Sequence, residues 1–173
     1  MDISKINQFR LLKKDLPKHI HDSRYWFKQI HSVEDDVEGL LKVIEYHHED
    51  LEWDAIPDLD EIKRRLDFGS FIGLNMFEEE PIGWNWTNPD CVTIDWKSHY
   101  QDLKPNEFYI GGTFFTRKAK PYPNSAMVAY RQGLEHYFNF HKKDTLYLYS
   151  DDWNRASSML CYKCGLTKFN FIN

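Results

Sequence analysis

The chain has 173 residues, enough to bury one good hydrophobic core and too few for two comfortable domains. Its 42% hydrophobic and 16% aromatic residues supply that core and argue against intrinsic disorder. A net charge of -5, with Lys and Arg scattered along the chain, excludes the basic footprint of a duplex-binding protein, so nucleic acid is not expected as a partner.

Residues 1–23 are polar and mixed, and read as an amino-terminal extension holding a short strand or helix. They contain no apolar run long enough for a signal peptide, and no later run approaches a membrane span. The expectation is a cytoplasmic protein with no membrane partner. Cys91, Cys161 and Cys164 are odd in number and too few for a disulfide framework, which agrees with a reducing compartment.

Residues 24–30, RYWFKQI, are aromatic and apolar enough for a first strand. Over residues 35–51, Val37, Leu40, Leu41, Ile44, His48 and Leu51 recur at helical steps behind two acidic residues, Asp35 and Asp36, which predicts an amphipathic helix. A second, shorter helix follows from Asp58, a cap with Glu61 three residues on; Leu59, Ile62 and Leu66 share its face, and Gly69 closes it. The segments SFIGLNMF and IGWNWT, joined by the charged turn EEEP, read as a hairpin. Asn88, Pro89 and Asp90 stop its second strand, and residues 91–106 read as a strand continuation plus a long loop.

Residues 107–116, EFYIGGTFFT, form the next strand, with Gly111 and Gly112 marking a bulge or a close approach to the backbone. The link RKAKPYPN leads into a helix whose buried stripe is Met127, Tyr130, Leu134, Tyr137 and Phe138. TLYLYS is a strand with Leu146 and Leu148 on one face and Tyr147 and Tyr149 on the other. Asn154 caps a short helix ending at Gly165, and LTKFNFIN makes the last strand. The fold class is mixed α+β: a largely antiparallel twisted sheet flanked by helices, in one domain over residues 1–173.

The order strand, helix, helix, strand, strand, strand, helix, strand, helix, strand resembles the GCN5-related N-acetyltransferase family over roughly residues 24–173. The more specific match is NRASSMLCYKCGL (154–166), which is similar to the family's penultimate segment with its Asn, Ala, Leu-Tyr pair and closing Gly-Phe. The resemblance implies acetyl-CoA or another acyl-CoA as co-substrate, with no metal. Its pantetheine arm would lie along the end of the strand at Phe114, Phe115 and Thr116. The diphosphate would sit at Asn124, Ser125 and Ala126, with Lys120 nearby and Asn154 also contributing.

Two departures from the family's pattern stand out. The phosphate loop is ordinarily glycine-rich, and here Pro121 and Pro123 each remove a possible N–H donor while Tyr122 adds bulk. Arg117, Lys118 and Lys120 supply compensating charge. At the position where the family places a tyrosine to protonate the departing thiol stands Cys161, with Tyr162 one residue later and about 100° around the helix. Both are candidates for that role.

The acceptor must lose a proton, and Glu107, Asp95, His99, Glu78, Glu79 and Glu80 are the candidate bases. Trp84, Trp86, Trp96 and Tyr109 are candidates to line an acceptor pocket, although aromatic strand residues more often pack a core. The Cys161/Cys164 pair invites a metal or redox reading, but no second ligand pair accompanies it. His19, His21, His47 and His48 read as incidental surface or packing residues.

The function expected is acyl-CoA-dependent N-acyltransfer, acetyl transfer to a small-molecule or protein amine. Two alternatives stay open. One is an acetyltransferase-like binding or regulatory module, motivated by the proline-filled loop. The other is transfer from an acyl carrier protein docked at Arg117, Lys118 and Lys120.

Overall fold

The computed structural model describes residues 5–18, 22–32, 34–35, 41, 45, 59–94, 99–115 and 124–172. It begins with a strand, β1 (Ile6–Leu12), and a 3-10 turn (Lys13–Asp15), within the segment read above as an extension. β1 lies inside the main sheet, antiparallel to both β8 (Thr145–Asp151) and β9 (Thr167–Ile172). Phe9 and Leu11 point one way from it into the core, which is why this stretch is a strand despite its polar neighbours.

The next strand, β2 (Tyr25–Ile30), is followed by α1 (Leu59–Asp67), the hairpin β3 (Phe71–Phe77) and β4 (Glu80–Asn88), and then β7 (Glu107–Phe115). α2 (Ser125–His141) precedes β8, and α3 (Arg155–Lys163) precedes β9. The seven strands are ordered β2-β3-β4-β7-β8-β1-β9, and β7 with β8 is the parallel pair. The architecture is therefore mixed α+β, with a mostly antiparallel sheet between helical layers. Most of the helix expected over residues 35–51 lies outside the described residues, as do the link at 116–123 and His19, His21, His47 and His48.

Residues 91–106 do not continue β4. They form a separate hairpin, β5 (Cys91–Ile94) and β6 (His99–Asp102). The cause is local: the Asn88 side-chain oxygen accepts bonds from the amides of Asp90 (2.8 Å) and Cys91 (3.0 Å), turning the chain out of the ladder.

The sheet carries a different layer on each face. On one, Ile62 of α1 is buried with Ile30, Ile72, Leu74, Trp84 and Trp86, while Val92 in the hairpin packs with Ile6, Tyr109 and Tyr149. On the other, Tyr130, Leu134, Tyr137 and Phe138 of α2 bury against Phe9, Phe108, Ile110, Leu146 and Leu148, joined by Cys161 and Cys164 around α3. Apolar surface on this scale dominates the folding energy, at roughly 25 cal/mol per Å² removed from water.

Candidate active site

β7 pairs with β8 over four positions, from Glu107 opposite Thr145 to Ile110 opposite Leu148. There the two strands part. β7 runs on to Phe115 along β4, and β8 runs on to Asp151 along β1. The sheet thus opens between neighbouring parallel strands at Gly111, turning backbone groups of β7 toward the opening instead of into a ladder.

A bulge sits at the same point. Trp84 and Trp86 are two residues apart on β4, but their partners Phe114 and Gly111 are three apart on β7. Gly112 absorbs the extra residue at φ 54, a left-handed backbone that glycine adopts without steric cost. The extra residue also resets the alternation of β7. Phe108 and Ile110 face α2, Phe114 faces the α1 side, and Phe115 faces α2 again. Phe114 stacks on Trp84 with ring centroids 5.6 Å apart.

On the α1 side a cavity of about 70 Å³ ends at this bulge. Arg64, Arg65 and Phe68 border it from α1 and the turn that follows, Trp86 from β4, and Tyr109, Gly111 and Gly112 from β7. The Arg65 guanidinium lies 5.2 Å over the Trp86 ring, and both arginines bond Glu61. The Arg64 guanidinium, with Arg65 beside it, holds the Glu61 carboxyl down to about 2. Tyr109 leans forward along its strand so that its hydroxyl fills the space above Gly111. The cavity therefore has a cationic and aromatic border and a phenol at the point where the sheet opens.

On the α2 side, Asn124 precedes the helix in a left-handed conformation (φ 61) and makes no side-chain cap. The first helical bond runs from Val128 N to Asn124 O, so the amides of Ala126 and Met127 have no intrahelical acceptor. Ser125 is buried. Phe115 at the end of β7 meets the Tyr130 ring edge-on at 6.3 Å, which brings the start of α2 against the opening.

The expected proton donors occupy contrasting places. Tyr162 is 52% exposed, its ring edge-on to Phe9 at 5.5 Å. Cys161 is 1% exposed, and burial pushes its thiol up to about 12, so it stays protonated. Asn154 is engaged as the cap of α3, its side-chain oxygen accepting the Ser157 amide at 3.0 Å. Thr116 and Lys120, like Pro121 and Pro123, lie outside the described residues.

Of the base candidates, Glu107 is buried and committed elsewhere: its carboxylate accepts the Lys104 amide (3.0 Å) and the Tyr147 hydroxyl (3.1 Å). Glu78, Glu79 and Glu80 sit at the β3–β4 turn. Trp86 is six positions along β4 from Glu80, about 20 Å at strand rise, which takes the turn away from the cavity. Asp95 and the side chain of His99 are outside the described residues.

Trp86 and Tyr109 do line the cavity, whereas Trp84 is core against Phe114; Trp96 is not among the described residues. Reading the sequence missed Arg64 and Arg65, which follow Ile62 on α1 and become site residues only when that helix docks beside β4 and β7. Among the described residues, no group of three or more His, Cys, Asp or Glu side chains is placed to hold a metal ion. No helix there is long and apolar enough to cross a membrane.

No protein-family model matches the chain, and no curated protein matches it. Solved structures do. A GCN5-related N-acetyltransferase from Kribbella flavida has a TM-score of 0.58 at 10% identity, over 98% of this chain and 56% of that one. A tandem GNAT protein from the clavulanic acid biosynthesis pathway gives 0.61 at 11%, over 99% and 52%. An aminoglycoside acetyltransferase from an uncultured soil metagenomic sample, in complex with trehalose, gives 0.60 at 10%, over 88% and 94%. The chain spans about half the length of the first two. At these identities the likeness is one of fold.

Proposed function

We propose that this chain, which has the fold of the GCN5-related N-acetyltransferases, is an acyl-CoA-dependent N-acyltransferase that moves an acetyl group from acetyl-CoA to an amine. One juxtaposition carries the reading. The cavity on the α1 side ends at Gly111 and Gly112, where β7 and β8 part. An acceptor held in the cavity would meet, at the bulge, an extended chain lying in the opening.

The residues present fit such a co-substrate. The parted edge of β7 at Phe114 and Phe115 offers backbone groups to an extended amide-bearing arm. The start of α2, at Asn124, Ser125 and Ala126, offers helix-terminal amides and the positive end of the helix dipole to a diphosphate, with Thr116 and Lys120 leading into it. Asn154 would serve indirectly, by fixing where α3 begins. Acetyl-CoA supplies an activated acyl group when bound; the protein's part is to align it with the amine and polarise its carbonyl from a β7 amide.

The acceptor on this reading is a small-molecule or protein amine, bound from the α1 side, and the enzyme works in the cytoplasm without a nucleic-acid or membrane partner. Incubation with acetyl-CoA and a library of amines, followed by mass spectrometry, tests it. An acceptor gaining one acetyl group, with release of free coenzyme A, is the expected result. Absence of any acetylated product, with no ligand-induced rise in melting temperature at millimolar acetyl-CoA, would overturn it.

A further inference from the structure

The cavity on the α1 side has a one-sided charge. Arg64 and Arg65 border it, and among the described residues no Asp or Glu belongs to that border. The chain as a whole is acidic, at -5, so two cations meeting at one cleft are a local departure from its average surface. Glu61 stands one helical turn back on α1 and holds both guanidinium groups from there. Its Oε1 accepts from Arg65 Nε at 2.6 Å and from an Arg64 terminal nitrogen at 2.8 Å, and its Oε2 accepts from Arg64 Nε at 2.7 Å.

Glu61 thereby fixes where both charges sit, and a single carboxylate shared by two guanidinium groups does not cancel both. Arg65 is held a second time, with its guanidinium 5.2 Å over the Trp86 ring. The same indole reaches the bulge, since a Cβ on Gly112 would lie 2.9 Å from Trp86 Cδ1. One indole thus spans the gap between the Arg65 charge and the point where the sheet opens, and the Tyr109 hydroxyl stands over neighbouring Gly111.

Resting on the acyl-CoA reading above, we infer that the acceptor is a short amine bearing a carboxylate, an amino acid or a close analogue. Arg64 and Arg65 hold its anionic group while its amine meets the acyl group at Gly111 and Gly112. A planar carboxylate matches the planar fork of an arginine, and two such forks lie side by side on α1. The cavity of about 70 Å³ suits a compact head group. The span of Trp86 keeps the amine and the carboxylate only a few bonds apart. A polycationic acceptor would meet like charge at the border and be disfavoured.

The test offers the full chain acetyl-CoA and a panel of α-, β- and γ-amino acids beside their primary amides, which keep the amine and lose the negative charge. Release of free thiol gives the rates, and mass spectrometry identifies the products. For at least one pair the acid should be preferred over its amide by about 10–100-fold in kcat/KM, chiefly through KM, the range for a hydrogen bond to a charged group. Arg64→Gln and Arg65→Gln should each narrow that ratio. Arg65→Lys, which keeps the charge without the fork, should restore part of it.

The Arg64 side chain is 58% exposed, so its replacement leaves the Glu61–Arg65 bond in place and keeps the test readable should Arg65→Gln fail to fold. Loss of acid and amide turnover in equal proportion in the variants would show that the arginines only shape α1, and would overturn the inference. Amides acetylated as well as acids by the wild type, or coenzyme A bound with no acid in the panel acetylated, would overturn it while sparing the acyl-CoA reading. Failure of the wild type to bind coenzyme A or acetylate any amine would overturn that reading and this one together.

Discussion

The Tyr109 hydroxyl occupies the volume in which a side chain on Gly111, two residues along the same strand, would have to begin. The bulge at Gly112 and the parting of β7 from β8 meet at that pair, so the phenol is fixed over the end of the cavity by the absence of a Cβ beneath it.

Gly111→Ala should accordingly cost about 1–3 kcal/mol of stability, the usual range for overpacking. The backbone there lacks the positive φ of Gly112, so the cost comes from the ring and not from strain. With Tyr109→Ala already in place, Gly111→Ala should add little further loss. Urea unfolding of both single variants and the double variant checks this, and additive losses would mean that the two residues do not compete for space.

His141 sets a pH dependence. Burial, aided by the Lys143 charge, pushes its imidazole down to about 4, and its Nε2 lies 3.1 Å from the Thr87 hydroxyl. Unfolded, it titrates near 6.5. Between those values the unfolded chain takes up a proton that the folded chain refuses, so this contribution is complete above about pH 6.5 and is lost as pH falls toward 4. The full loss is about 3 kcal/mol. His136, also lowered by burial, acts in the same direction. His141→Gln should therefore flatten, without abolishing, the fall in unfolding free energy from pH 7 to 4.5.

The cap of α3 makes a third prediction. Asn154→Ala removes the acceptor of the Ser157 amide and should lower stability by about 1 kcal/mol, with Asn154→Asp nearly neutral. Denaturant midpoints measure this. A role for Asn154 in direct contact with the co-substrate would instead appear as a larger loss of acyl-CoA binding than of stability.

Much of the framework was legible because its signals are local. Leu59, Ile62 and Leu66 announced α1, Gly111 and Gly112 announced the bulge, and the alternation of Leu146 and Leu148 with Tyr147 and Tyr149 announced β8. β1 was harder, because INQFRLL has little strand character alone and owes its state to partners at the other end of the chain, such as Ile172 opposite Ile6. The β5–β6 hairpin was missed because the Asn88 turn ends one strand and launches another within three residues.

The candidate site was only half readable for the same reason. Trp86 and Tyr109 could be suspected from aromatic strand chemistry, but Arg64 and Arg65 look like an ordinary solvated helix face until α1 packs against the sheet.

The most direct measurement is titration calorimetry of the full chain with free coenzyme A, beside a Gly112→Val variant. Valine is strained at φ 54 and crowds Trp86, so it disturbs the opening at its origin. The account predicts saturable binding of one coenzyme A per chain, with a matching rise in melting temperature, weakened at least tenfold in a folded variant (~1.4 kcal/mol). No heat and no thermal stabilisation of the wild type at millimolar coenzyme A would contradict it.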